Sequence, residues 1–171
     1  MYFVSYAIVG WVDVFIRNEY KQILMDSWRY CREQKGLDIY GWCIMTSHVH
    51  MIIGSETGGS LSDILRDTKR DSSEQLKKAI VNHPQESRRE WMRQIFIHSG
   101  KENSNNISWQ LWQQNNKPIL LQNSEMALRS LNYIHNNAVT AGFVEEPQHW
   151  IYSSALDYCG RTGLLNIKLL M

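Results

Sequence analysis

The stretch "LDIYGWCIMTSHVHMIIGS", residues 37–55, constrains the fold more than any other part of the chain. Two runs rich in aromatic and β-branched residues, 37–46 and 48–54, follow each other almost without a connection. Such runs read as strands. Strands joined this tightly pair as antiparallel neighbours, because a parallel pair needs a crossover of a dozen or more residues. The preceding sequence supplies a third strand, "YFVSYAIVGW" over 2–11, and then a helix in "RNEYKQILMDSWRYCREQKG". Tyr20, Ile23, Leu24, Trp28 and Cys31 recur there at helical spacing, and Gly36 is a natural C-terminal stop.

Beyond the hairpin, "TGG" breaks the pattern and Ser60 begins a helix, with Asp63 three residues on as a capping-box variant. Leu61, Ile64, Leu65 and Thr68 make its inward stripe. Pro84 opens another helix with Trp91, Met92, Ile95 and Phe96 on its apolar side. "GKENSNN" reads as a loop, "ISWQLWQQ" as a strand and "KPILLQ" as a short extended piece. Ser124 caps a helix to about Asn137, and Pro147 starts a last short helix through "QHWIYSSALDY". The order strand, helix, two strands, helices, strand, helix is an α+β arrangement close to the ferredoxin-like β-α-β-β-α-β plan with added helices. Its length fits a single domain over 1–171.

The bulk numbers narrow the function classes. A hydrophobic content of 43% supports a core without disulfides, and Cys31, Cys43 and Cys159 are widely spaced with no CxxC pair, so reduced thiols are expected. Met1 leads directly into strand-like sequence, and no apolar run approaches the ~20 residues that span a bilayer. The expectation is a cytoplasmic protein with no membrane segment. A net charge of +1 is not the footprint of a strongly basic DNA binder. Between Arg66 and Lys101, however, basic residues outnumber acidic ones, which marks either a local basic face or a helix surface laced with ion pairs.

Residues on a strand alternate faces, so His48 and His50 project to one side, roughly 7 Å apart along the rise. Two imidazoles can share a metal, but a divalent ion takes four to six ligands. Alone, the pair is read most simply as two partly buried histidines. The helix from Ser124, "EMALRSLNYIHNN", changes the balance. Leu128, Leu131 and Ile134 form its packing stripe, while Tyr133 and Asn137 lie one turn apart on another face, with Ser130 a turn before. Laid over the sheet, that face would bring the Asn137 carbonyl oxygen to a metal and leave the Tyr133 hydroxyl beside it. His135, two residues from Tyr133, points elsewhere and reads as structural. Together these groups suit a phosphodiester: a divalent ion polarises the phosphorus, and a tyrosine hydroxyl attacks it to form a phosphotyrosine as a 3′-hydroxyl leaves.

The sequence also resembles a family. "WCIMTSHVHMII", followed about eighty residues later by "LNYIHNNAVTAGFVEEPQHWIYSSALDY", is similar to the HUH single-strand DNA transposases with one catalytic tyrosine, and most to their REP-associated branch. "LWQQNNKPIL" sits where that family has a Trp-Gln strand. Carried over by position, the resemblance implies that His48 and His50 bind a metal, that Tyr133 is the nucleophile on a helix of about 124–138, and that Asn137 is the extra polar ligand. A C-terminal extension of about 147–171 follows. It further implies an HUH-type ferredoxin-like fold, Mg²⁺ or Mn²⁺, hairpins in single-stranded DNA as partner, cutting beside them through a covalent 5′-phosphotyrosine, and a homodimer in some relatives. The chain departs from the family at Ala138, where proline is usual, and in "QNNKPIL".

Single-stranded DNA is held by basic grooves and aromatic platforms. Arg66, Lys69 and Arg70 on the helix after the histidine strand, Arg88, Arg89 and Arg93 further on, and the rings of Trp109, Trp112 and Trp150 are the candidates for contact. Two other readings use the same residues. A His-triad nucleotide hydrolase would need a histidine at the next alternating position, which is Ile52. A non-catalytic hairpin binder, such as a domesticated repressor, would have no need for Tyr133 opposite the histidines.

Overall fold

In the computed structural model, which describes residues 1–56, 58–102, 108–114 and 117–170, the strands β1 (Tyr2–Ala7), β2 (Asp38–Ile44), β3 (His48–Gly54) and β4 (Ile119–Leu120) form one sheet. Their order is β2-β3-β1-β4 and each neighbouring pair is antiparallel, as the ferredoxin-like plan requires. β3 therefore lies in the middle, with Ser5 of β1 on one side of His50 and Cys43 of β2 on the other.

Strand alternation divides the sheet into two faces with separate cores. Val49, Met51 and Ile53 of β3 join the larger cluster with Val4, Tyr6 and Trp42. The helix α1 (Asn18–Lys35) closes that face with Tyr20, Leu24, Met25, Trp28 and Cys31, and it ends where Gly36 turns left-handed at φ 70°. Two further helices, α2 (Leu61–Asn82) and α3 (Arg89–Lys101), thicken the same side through Ile64, Leu76, Ile80, Met92 and Phe96. Ser60 caps α2 as the sequence indicates, its hydroxyl accepting the Asp63 N–H at 3.4 Å.

The opposite face is covered by α4 (Ser124–Thr140). Its Leu131, Ile134 and Ala138 meet Cys43, Met45 and Ile52. Burying side chains of this kind is worth roughly 1.5–3 kcal/mol each. The approach is close because β2 carries Gly41 next to an irregularity in its register. A Cβ at Gly41 would sit 2.6 Å from Leu131 Cδ1. Thus α4 and α1 clamp the sheet from opposite sides, and α4 covers the face that carries the histidines together with Trp150, Tyr158 and Leu170 of the C-terminal segment.

Several boundaries differ from the sequence reading. The strand predicted over 2–11 ends at Ala7, because Gly10 and Trp11 take φ of 63° and 54° and the chain turns through a 3-10 segment, Val9–Trp11. The helix expected from Pro84 starts at Arg89, and Trp91, expected on its apolar side, is 52% exposed. Gly100 and Lys101, expected in a loop, finish α3, whereas 103–107 lie outside the described residues. "SWQLWQQ" is not a strand: it follows the end of β1 through one bridge, Ile8 to Trp112, with Leu111 O accepting from Val9 N. The cap of α4 is Asn123 rather than Ser124, its side chain accepting the Met126 N–H, and the helix runs on to Thr140. After Pro147 come a 3-10 turn, Pro147–His149, and a separate α5 (Ala155–Tyr158), instead of one helix. No helix among the described residues is long and apolar enough to cross a membrane, and the three cysteines are free.

Candidate active site

His48 begins β3 directly after a turn, Thr46–Ser47, that is held from two directions. Met45 N donates back to His48 O at 2.8 Å, while Ile8 N and Phe15 N donate to Ser47 O and Thr46 O, both at 2.8 Å. The start of β3 is thus fixed to the end of β1 and to the loop after it. Ser47 Oγ lies 3.2 Å from His48 Nδ1 and orients that ring. The His48 and His50 rings are 4.9 Å apart, centre to centre, and nearly perpendicular.

The helix α4 brings the expected partners to the pair. The Tyr133 ring lies edge-on to His50 at 5.1 Å, and the tyrosine is 53% exposed. One turn later the Asn137 side chain hydrogen-bonds His48. His135 turns the other way, as the sequence indicates, and is buried with Nε2 2.9 Å from Ser154 Oγ. That serine also accepts the backbone N–H of Trp42, so the bond ties α4 to β2.

Burial sets the electrostatics. It pushes His50 down to about 4, with the adjacent His48 adding to the shift. It also lowers His48, partly offset by the bond to Asn137 and by Asp13. Both imidazoles are neutral at pH 7, the form that ligates a metal. Neither ring nitrogen of the buried His50 has a hydrogen-bond partner among the described residues. Leaving buried polar atoms unpaired costs about 1–3 kcal/mol, so such an atom asks for an explanation. Two neutral imidazoles and an amide oxygen could supply part of the ligand set of a divalent ion, which would give those nitrogens a partner. No group of three His, Cys, Asp or Glu that could hold a metal ion gathers anywhere among the described residues, so a metal here would rest on the two imidazoles and the Asn137 amide. Ile52, in the position a third histidine would need, is fully buried against α4.

The DNA-contact candidates separate into two sets. Arg66, Lys69 and Arg70 line one cleft of about 480 Å³ together with Trp109 and Trp112. Arg66 and Arg70 are exposed and paired with Asp63 and Asp67. Lys69 lies over the Tyr6 ring, and burial lowers it to about 8. Trp112 presents no free face: it packs against Tyr6 and Phe15, and its indole N–H donates to Ser72. The second set serves the fold. Arg88 binds Glu86 and the Asp13 carbonyl, and Arg89 donates to the His83 carbonyl. Arg93 pairs with Glu90, and Trp150 packs against the smaller cluster and donates to Ile44 O.

Two site residues escaped the sequence reading. Phe3 stacks on His50 at 5.7 Å and meets Tyr133 edge-on at 6.0 Å. Alternation along β1 was the available signal, since it puts Phe3 and Ser5 on one face. Trp11 meets His48 edge-on at 5.5 Å. It was hidden inside a run that reads as continuous strand.

The family model of the IS200-like transposases matches residues 12–115, which include the histidine pair and stop short of α4. Among solved structures, the protein is similar to a REP-associated tyrosine transposase bound to a REP hairpin. The two are 16% identical, the match covers 99% of this chain and 87% of that one, and the TM-score is 0.63. At that identity the fold is what they share. A candidate transposase from Deinococcus radiodurans R1 matches at 19% identity, 79% and 88% coverage and a TM-score of 0.48. No curated protein matches the sequence.

Proposed function

The chain belongs to the IS200-like transposases, and from that premise we propose that it cuts and rejoins single-stranded DNA at hairpins, with Tyr133 as the nucleophile. The observation that carries this is the packing of the Tyr133 ring against His50, a buried histidine with two unpartnered nitrogens. A purely structural histidine would have found a partner.

In the reaction, Tyr133 Oη attacks the phosphorus, an Oη–P bond forms, and the bond to the 3′ oxygen breaks. The tyrosine gives up its proton and the departing oxygen takes one to become a 3′-hydroxyl. The product is a 5′-phosphotyrosine. Because the phosphoester is conserved, a new 3′-hydroxyl reverses the step and joins the strands without ATP. His48, His50 and Asn137 would hold Mg²⁺ or Mn²⁺, whose chemistry when bound is to polarise the phosphoryl oxygens. Phe3 and the β3 backbone hold His50 in place while α4 presents Tyr133 to solvent, where a strand can reach it. Arg66, Lys69 and Arg70 lie along a cleft suited to a phosphate backbone. The fold shared with a protein solved on a REP hairpin supports a hairpin as substrate.

The test is covalent capture. Wild-type protein, Mn²⁺ and a labelled hairpin with single-stranded flanks should give a denaturation-resistant adduct. Tyr133→Phe should give none while still binding the hairpin. Adducts in that variant would disprove the nucleophile, and binding without any cleavage by the wild type would favour a non-catalytic hairpin binder.

A further inference from the structure

Trp11 is placed at a cost that the fold does not explain. Its neighbours Val9, Val12, Val14 and Phe15 are all buried, yet Trp11 is 60% exposed. Its φ is 54°, a left-handed conformation that bulky residues rarely take and that stores strain. The loop is not loose. Phe15 N is bonded to Thr46 O and Val9 N to Leu111 O, both at 2.8 Å, and Arg88 donates to Asp13 O at 2.8 Å. Val14 and Phe15 are fully buried anchors. A strained backbone on a pinned loop therefore holds a large aromatic ring in solvent, edge-on to His48 at 5.5 Å. Trp11, His48, His50 and Tyr133 form a row of rings, each within 5.5 Å of the next. The nucleophile stands at one end and an open indole face at the other.

We propose that Trp11 stacks on a base of the single strand next to the scissile phosphate and so sets which phosphate reaches Tyr133. The inference rests on the reading of the chain as a single-strand DNA transposase. Base stacking on an aromatic ring suits the geometry, because it needs an exposed π face and no hydrogen-bond partner. Selectivity would come from stacking strength and strand position.

The probe is a pool of single-stranded 45-mers, each with a stem-loop and randomised flanks, incubated with Mn²⁺ and the wild-type protein; the covalent adducts are then sequenced. An oligonucleotide recovered this way is next measured with an abasic site at each flanking position. Trp11→Ala should weaken binding and lower cleavage at low substrate by about 5- to 100-fold, with Trp11→Phe recovering part of the loss. One abasic position should cost the wild type a similar factor and cost Trp11→Ala nothing further. Base preference at that position should flatten in the Trp11→Ala pool. Wild-type behaviour in Trp11→Ala, or losses that add to those of every abasic site, would overturn the stacking role while leaving the transposase reading intact. A wild-type protein that neither binds nor cuts the pool would overturn both.

Discussion

Glu86 is the sharpest place to test whether the loop beside the histidines is held as described. Its carboxylate is fully buried and receives five donors. Oε2 accepts from Arg17 Nε at 2.8 Å, Arg88 Nη2 at 3.1 Å and Tyr20 Oη at 3.2 Å, while Oε1 accepts from Arg88 Nε at 3.0 Å and Arg88 N at 3.2 Å. Burial by itself would raise its pKa, but the bonds from Arg88 and Arg17 outweigh it and set the value at about 2, against an ordinary 4.5. A folded-state value below the unfolded one means that the stabilisation is complete above about pH 4.5 and drains away as pH falls toward 2. At 1.36 kcal/mol per pKa unit this is roughly 3 kcal/mol. Urea unfolding of wild type and Glu86→Gln at stepped pH isolates it, because the other carboxylates titrate alike in both proteins. Wild type should lose roughly 3 kcal/mol more than Glu86→Gln between pH 5 and 2, with unchanged m-values. Since Arg88 also holds Asp13, the variant should cleave DNA more slowly at pH 7. Parallel stability curves for the two proteins would show that Glu86 is not the charged centre of the network.

Two further substitutions probe the site itself. His50→Leu removes two unpartnered buried nitrogens, so the fold should be as stable as wild type or up to about 1 kcal/mol more stable, with cleavage abolished. A stability loss above about 2 kcal/mol in urea would show that those nitrogens are satisfied in solution. Gly41→Val pushes a branched side chain into Leu131 and should cost about 1–3 kcal/mol. By displacing α4 it should slow adduct formation more than hairpin binding, and an unchanged adduct rate would show that the seam does not position Tyr133.

Much of the scaffold was legible because its signals were local. Gly36 ends α1 through its own backbone freedom, Ser60 caps α2 through its own hydroxyl, and the alternation of β3 put both histidines on one face. The pairing of that face with Tyr133 and Asn137 could be read because helical spacing fixes which residues share a side. What the sequence concealed depends on contacts distant in the chain. The turn at Gly10–Trp11 sits inside a run of strand-forming residues and reveals itself only through the segment around Leu111 that it pairs with. The start of α3 was misplaced because residues 83–88 are shaped by Glu86 and its arginines, not by Pro84. Trp112 reads as a platform for bases until Tyr6 and Phe15 are seen to cover it, and no property of Trp112 alone distinguishes the two.

The two cores on either side of the sheet have a consequence for how such a chain can change. The face under α1 holds the larger cluster, with Trp28, Trp42 and Phe15 fully buried, and the face under α4 holds the smaller one together with the histidines. The larger core and the histidine pair therefore lie on opposite sides of the same three long strands, β1, β2 and β3. Substitutions at the exposed positions of α4, at Trp11 itself and along the exposed edge of β4 leave the larger core whole. A lineage could rewrite the side of the sheet that carries the histidines while keeping its thermal tolerance, and rewrite the other side to change that tolerance.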